Sequence, residues 1–337
     1  MLYNLFMILL FGVVMILGVS GSPFIKSDLA VEEKVERLTE KWLETQERTI
    51  LQLQKELHDE EMLKEFSQKC DVLSDEFIQK PQTRADFAWK SAQDTFIART
   101  KWTFPFDDTL TCRDIEGFFI NASDLELEGQ KYIASQAPLT TTLSDFWKMI
   151  IHTKSTTIVA LNMPEEDKDE PEPRPVEYWK QNCLQGLVAI DNWTIVCVGQ
   201  EVVAKEEGTD FAIIKRTFEL KNSQSHVVRQ IIQFHFQNWP DFEGVPNERL
   251  FKKLLELVEA SHTAKDIPLT VHCAAGMGRA GSFIAAHSMR RKIHSDLQAG
   301  KCREEIKVNL AKTIFSMRQC RKDMVSDKGM PCIANVL

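Results

Sequence analysis

The stretch Leu269–Ser282, LTVHCAAGMGRAGS, constrains this chain more than any other part of it. A short apolar run ends at His272–Cys273, a loop of small residues with Gly276, Gly278 and Gly281 follows, and then a helix. A strand that passes into a helix through such a loop turns a run of backbone N–H groups, and the helix N-terminus, toward one point. A sulfur placed there has its anionic form stabilised, so Cys273 is expected to be a thiolate near neutrality. Arg279 stands six positions later, where its fork can hold two oxygens of a tetrahedral oxyanion. A nucleophile, a nest of donors and a guanidinium are the parts needed for phosphoryl transfer to sulfur. The spacing of Cys and Arg alone is equally met by a core cysteine at a strand end. The glycines and the strand-then-helix setting make the chemical reading specific.

The rest of the chain supplies a sheet and helices around this loop. Leu143–His152 is a helix with Leu143, Phe146, Trp147 and Ile150 on one side, and Thr156–Leu161 is a buried strand. Short β runs are expected at Phe118–Ala122 and Lys131–Ser135, around a turn with Gly129. Three antiparallel strands follow at Thr194–Val198, Phe211–Leu220 and His226–Phe236. Helices are expected at Phe87–Ala98, Asn247–Ser261 (Leu250, Leu254, Leu257 and Val258 inward), Arg279–His294 and Arg303–Cys320. The acidic, Pro-rich 164–175 is a surface loop. Interleaved strands and helices give an α/β class, with one large twisted mixed sheet flanked by helices.

The chain has 337 residues, 43% apolar and 27% charged, which supports one sizeable core and permits one or two domains. Its net charge of −8 argues against nucleic acid as a partner, because counterion release needs a basic surface. Residues 5–19 are apolar and uncharged, and small residues follow at Ser20, Gly21 and Ser22. Residues 1–22 are thus a signal peptide or an N-terminal membrane anchor. Lys26, Lys34 and Arg37 lie downstream with no basic side chain upstream, which places the body of an anchored chain in the cytosol; the alternative is secretion after cleavage. Residues 23–67 form a helical lead-in, one long helix or two in succession, and 68–337 the main domain. The eight cysteines are dispersed, without C-x-x-C pairs or zinc spacing. If one must stay a thiolate, a reducing compartment is the simpler reading. No metal or cofactor is implied.

These residues resemble the protein-tyrosine phosphatase family. Its signature loop is matched at His272, Cys273, Gly276, Arg279 and Gly281. Phe118–Ser123, Lys131–Leu139, Asp145–Met149, Tyr178–Trp179 and Trp239–Asp241 with Gly244–Pro246 are similar to its other blocks, in the same order. The resemblance runs from about Leu73 to Val325. It implies a protein-tyrosine-phosphatase-like domain acting without a metal on phosphotyrosine-containing proteins through a phosphocysteine. On that resemblance Cys273 is the nucleophile. Arg279 and the amides of Ala274, Ala275, Gly276, Met277, Gly278 and Arg279 bind the phosphate, and Asp241 is the acid and then the base. His272 tunes the thiolate or is simply a satisfied core histidine. Asp241, by residue type alone, is equally a solvated loop carboxylate.

The sequence also departs from the pattern. Ala280 stands where the family has a hydroxyl that helps sulfur leave, so breakdown of the intermediate is expected to be slow. Thr100 occupies the position of the recognition loop's ring-stacking tyrosine, with Arg99 retained and Trp102 nearby. The acid loop has an extra residue, with Phe242–Glu243 before Gly244 where one is usual, and Ser326 and Met330 replace water-positioning glutamines. These departures keep open a second reading, a catalytically weak or inactive domain that binds phosphorylated partners. Asn192 and Asn121 begin glycosylation sequons, relevant only to an exported chain, and the basic clusters Lys252–Lys253 and Arg290–Arg291–Lys292 read as solvated helix faces. The sequence sets no oligomeric state.

Overall fold

The computed structural model describes residues 40–77, 105–162, 175–179 and 188–337. The apolar segment 5–19, the helix expected at 87–98 and the recognition-loop residues Arg99, Thr100 and Trp102 lie outside them. Ten strands occur among the described residues: β1 (Arg48–Thr49), β2 (Ala122–Leu127), β3 (Gln130–Gln136), β4 (Thr157–Ala160), β5 (Val188–Ile190), β6 (Trp193–Lys205), β7 (Ala212–Asn222), β8 (Val228–Phe236), β9 (Leu269–Cys273) and β10 (Lys307–Val308). Eight of them build a mixed sheet in the order β2-β3-β9-β4-β8-β7-β6-β5. β9 lies between β3 and β4 and runs parallel to both, and β4 is parallel to β8. The remaining pairs are antiparallel. The expected α/β class with one large mixed sheet is therefore observed.

Sequence explains the central position of β9. All five of its residues are buried, as are the four of β4, and a strand covered on both faces reads as a continuous apolar run rather than an alternation. β7 instead alternates buried and half-buried positions along most of its length. In an open sheet with parallel strands, the carboxyl ends of the central strands open onto a crevice, and β9 delivers Cys273 to that end.

Helices cover the sheet. α1 (Ile50–His58) begins with a capping box: the Thr49 hydroxyl accepts the Gln52 N–H, and the Gln52 carboxamide oxygen accepts the Thr49 N–H. α2 (Glu60–Phe77) follows at once, because Asp59 turns its carboxylate to the N–H groups of Glu61 and Met62. That cap divides the lead-in into two helices. Leu53 and Leu57 of α1 are buried, and Gln54 donates to the Ala334 carbonyl at 3.0 Å. α3 (Leu143–Thr153) buries Phe146, Trp147, Met149 and Ile150, and the Trp147 and Tyr178 rings meet edge-on at 5.8 Å. α4 (Glu248–Ser261) is capped by Asn247, whose side chain accepts the Leu250 N–H. α5 (Gly278–Gln298) runs from the loop after β9 through the core, buried at every position from Arg279 to Arg290. α6 (Leu310–Arg318) and α7 (Met330–Asn335) complete the described helices of length.

Several sequence expectations are corrected. The first hairpin strand begins at Ala122, where the expected one ended. The helix expected from Arg303 starts only at Leu310, since Asn309 caps it and Lys307–Val308 pair instead with Arg48–Thr49. In α4, Leu255 is buried while Leu257 is half-buried. Arg290 is not on a solvated face: it is 6% exposed, with its guanidinium on Glu259 at 3.1 Å and on the Val336 carbonyl. Such a buried cation is tolerable only because it is paired. Cys197 is disulfide-bonded, against the reduced chain expected; Cys70, Cys112, Cys273, Cys302, Cys320 and Cys332 form no disulfide. Asn121 is 1% exposed, which rules out its sequon, whereas Asn192 lies on an exposed turn. Among the described residues no helix is long and apolar enough to cross a membrane.

Candidate active site

The loop after β9 is shaped by two glycines. Gly276 has φ +73°, and a Cβ there would run into the Ser135 carbonyl. Glycine alone combines that backbone conformation with that approach. The turn brings the Gly276 N–H to the Cys273 sulfur at 3.2 Å. Gly281, one turn into α5, packs so tightly that a Cβ would lie 2.5 Å from the Val325 nitrogen. Together they seat residues Ala274, Ala275, Gly276, Met277 and Gly278 between the β3 carboxyl end and the start of α5. The first N–H groups of a helix have no partner within it, and the dipole there favours an anion. Cys273, 3% exposed, thus sits at the mouth of a helix N-terminus with an amide already turned to its sulfur.

Arg279 is 3% exposed and joins this loop to the one carrying Asp241. Its Nη1 donates to the Trp239 carbonyl at 2.7 Å, and its Nη2 lies 3.1 Å from Asp241 Oδ1. The Asp241 side chain remains 32% exposed, accessible to a bound molecule. Trp239 is buried against Phe236 and Phe251, which anchors the loop to the core. Of the residues picked out separately in the sequence, Cys273 receives the Gly276 amide at the start of α5, and Arg279, in the first turn of that helix, meets Asp241.

His272 lies beneath, 0% exposed, with both nitrogens engaged. Its Nε2 faces the Tyr178 hydroxyl at 2.8 Å and its Nδ1 the Asn162 side-chain oxygen at 3.1 Å. Burial, then the nearby Arg279 charge, pushes its pKa down to about 3, so the ring is neutral at physiological pH. The tautomer follows from the chain of donors behind it. Arg216 Nη1 can only donate, and does so to Gln233 Oε1 at 2.8 Å; Gln233 Nε2 then donates to the Tyr178 oxygen. Tyr178 must donate onward to His272 Nε2, which leaves the proton on Nδ1, directed at Asn162. His272 is thus a buried histidine with both ring nitrogens satisfied.

Sequence reading missed Arg321. It is 1% exposed and spans Ser123 Oγ (3.2 Å), Asn121 Oδ1 (2.7 Å) and the Ala275 carbonyl (2.9 Å). Burial lowers its pKa to about 10, and the Cys273 charge opposes that shift. A cation thus lies under the loop, held by β2 and by the loop itself. No local signal distinguished Arg321 from its charged neighbours. Ala280 is 0% exposed and carries no hydroxyl, and the nearest one along the helix, on Ser282, donates to the Gly278 carbonyl at 3.1 Å.

Comparison with known proteins agrees with this geometry. Residues 98–329 match the family model described as Protein-tyrosine phosphatase, and the chain belongs to that family. It is 34% identical to Receptor-type tyrosine-protein phosphatase epsilon of Rattus norvegicus over 225 residues, 65% of this chain and 28% of the relative. It is 30% identical to Tyrosine-protein phosphatase 2 of Dictyostelium discoideum over 214 residues, 62% of this chain and 51% of the relative. With Phosphatidylinositol phosphatase PTPRQ of Homo sapiens it shares 30% over 315 residues, 89% of this chain but 13% of the relative. The chain thus spans from about an eighth to about half the length of these relatives.

Proposed function

We propose that the chain hydrolyses phosphotyrosine in proteins through a phosphocysteine intermediate. The observation that supports this reading is a sulfur receiving a backbone N–H at the start of α5, with a buried guanidinium in the first turn of that helix 3.1 Å from a partly exposed carboxylate. Cys273 attacks phosphorus as the tyrosine oxygen leaves, and Asp241 gives that oxygen its proton. Arg279 and the amides of residues 274–279 hold the equatorial oxygens, where charge is concentrated in the transition state. Water then attacks the phosphocysteine, Asp241 takes its proton, and phosphate leaves with the thiolate restored. His272 and Arg321 position the loop and take no part in bond making. Thr100 is proposed to border the entering ring, a role supported only by the family resemblance. The test is release of phosphate from a phosphotyrosyl peptide, and of p-nitrophenol from p-nitrophenyl phosphate, by the purified chain.

Ala280 supports a second reading, a domain that captures phosphorylated partners and turns over slowly. Without a hydroxyl to steady the departing sulfur, the second step limits the rate. Ala280→Ser is then expected to raise steady-state turnover several-fold, and stopped-flow traces of the parent should show a burst close to one equivalent of p-nitrophenol. Unchanged kinetics in the variant and no burst in the parent would count against a slow second step.

The proposed organisation is residues 1–22 as anchor or signal, 23–67 as a helical lead-in and 68–337 as the phosphatase domain. Receptor-type relatives and the basic residues after the apolar segment support a membrane-attached chain with its domain in the cytosol. The Cys197 disulfide favours the exported alternative. Protease treatment of intact microsomes is expected to digest the domain. A protected domain glycosylated at Asn192 would reverse the orientation.

A further inference from the structure

Residues Val325–Cys332 bridge two parts of the site that lie far apart in sequence. At one end the segment leans on the first turn of α5. Gly281 closes on Val325, and Gly329 packs against Ser282 so closely that a Cβ there would strike its hydroxyl. The other end receives the loop of Asp241. Gly244 lies where a Cβ would be 2.8 Å from the Lys328 carbonyl oxygen, and the Val245 N–H donates to Cys332 Sγ at 3.2 Å. Lys328 Nζ is 3.2 Å from both carboxylate oxygens of Glu243. Glu243 also accepts the Trp239 indole N–H on its carbonyl at 3.3 Å.

Phe242 and Glu243 precede Gly244 where the family resemblance implies a single residue. Glu243 supplies an internal tether, to Trp239, and an external one, to Lys328. The Cys332 contact has a defined polarity. Burial raises the thiol, so its sulfur accepts from Val245 while its own S–H faces the Lys328 carbonyl at 3.8 Å. We propose that Lys328 and Cys332 are positioning residues for Asp241, holding the acid loop seated against Arg279 through Glu243 and Val245 before substrate arrives. The inference rests on Asp241 being the general acid.

Two readouts on the full chain separate the tether from that premise. The first is hydrogen exchange of the Trp239–Val245 amides, which needs no turnover. Lys328 and Glu243 are about half exposed, and such a pair shifts an opening equilibrium by roughly two- to fivefold. Lys328→Met and Glu243→Gln should each speed exchange by that factor, the double variant no further, and the swap Glu243→Lys with Lys328→Glu should restore it. Cys332→Ala should also speed exchange, while Cys332→Ser, which keeps donor and acceptor, should resemble the parent. The second readout is kcat/KM for phenyl phosphate against p-nitrophenyl phosphate. A displaced acid harms the more basic leaving group more, so the loss in Lys328→Met should be larger with phenyl phosphate. Unchanged exchange in Lys328→Met and Cys332→Ala overturns the tether. Faster exchange with equal losses on both substrates upholds the tether and overturns its role in placing the acid.

Discussion

Serine at position 273 is expected to remove turnover while leaving the hollow able to bind an oxyanion. On the proposed mechanism the attacking atom is a sulfur, and an alcohol in its place is a far weaker nucleophile at neutral pH. Loss of a nucleophile that acts as part of a unit costs kcat on the order of 10⁴- to 10⁶-fold. The binding donors are untouched by the exchange: the loop conformation is set by Gly276 and Gly281, and Arg279 is held by Trp239 and Asp241. Calorimetric titration with tungstate should therefore give an affinity within about tenfold of the parent, since one donor–sulfur contact is altered and each 1.4 kcal/mol is tenfold. A serine variant that keeps turnover would place the nucleophile elsewhere.

Asparagine at position 241 is expected to have the next largest effect. The carboxamide preserves shape and can still accept the Phe242 N–H that Asp241 Oδ1 accepts, but it has no proton to deliver and no charge to set against Arg279. General acid catalysis contributes about 10²- to 10⁴-fold. The fall in kcat/KM should reach that range for phenyl phosphate and shrink as the leaving group becomes more acidic. A loss of equal size for every leaving group would assign Asp241 to holding Arg279 rather than to proton transfer.

The parts legible in the sequence were those encoded locally. The loop from Cys273 to Gly281 declares itself because a positive-φ turn and two close backbone approaches admit only glycine there. β4 and β9 declare themselves because burial on both faces removes alternation. What escaped depends on partners distant in sequence. Tyr178 meets His272 across 94 residues, and Arg321 reaches Asn121 across 200. Nothing near Arg321 separates a buried bridge from an exposed basic residue. Arg290 failed for the same reason, since its carboxylate partner lies on another helix. The two-residue ladder β1–β10 is too short to leave a period, and it broke the helix expected through Arg303–Cys320. Glu243 was visible only as part of a lengthened loop, and its partner Lys328 became apparent in three dimensions.

On the proposed mechanism, phosphate passes through the sulfur of Cys273. Rapid acid quench of the purified chain with an excess of phosphotyrosyl peptide, followed by digestion and mass measurement, reads that directly. A phosphate is expected on the peptide containing Cys273 within the first turnover, absent from the serine variant and accumulating less in Ala280→Ser. Turnover with no phosphate on Cys273 at any quench time, or with phosphate on another residue, would contradict it.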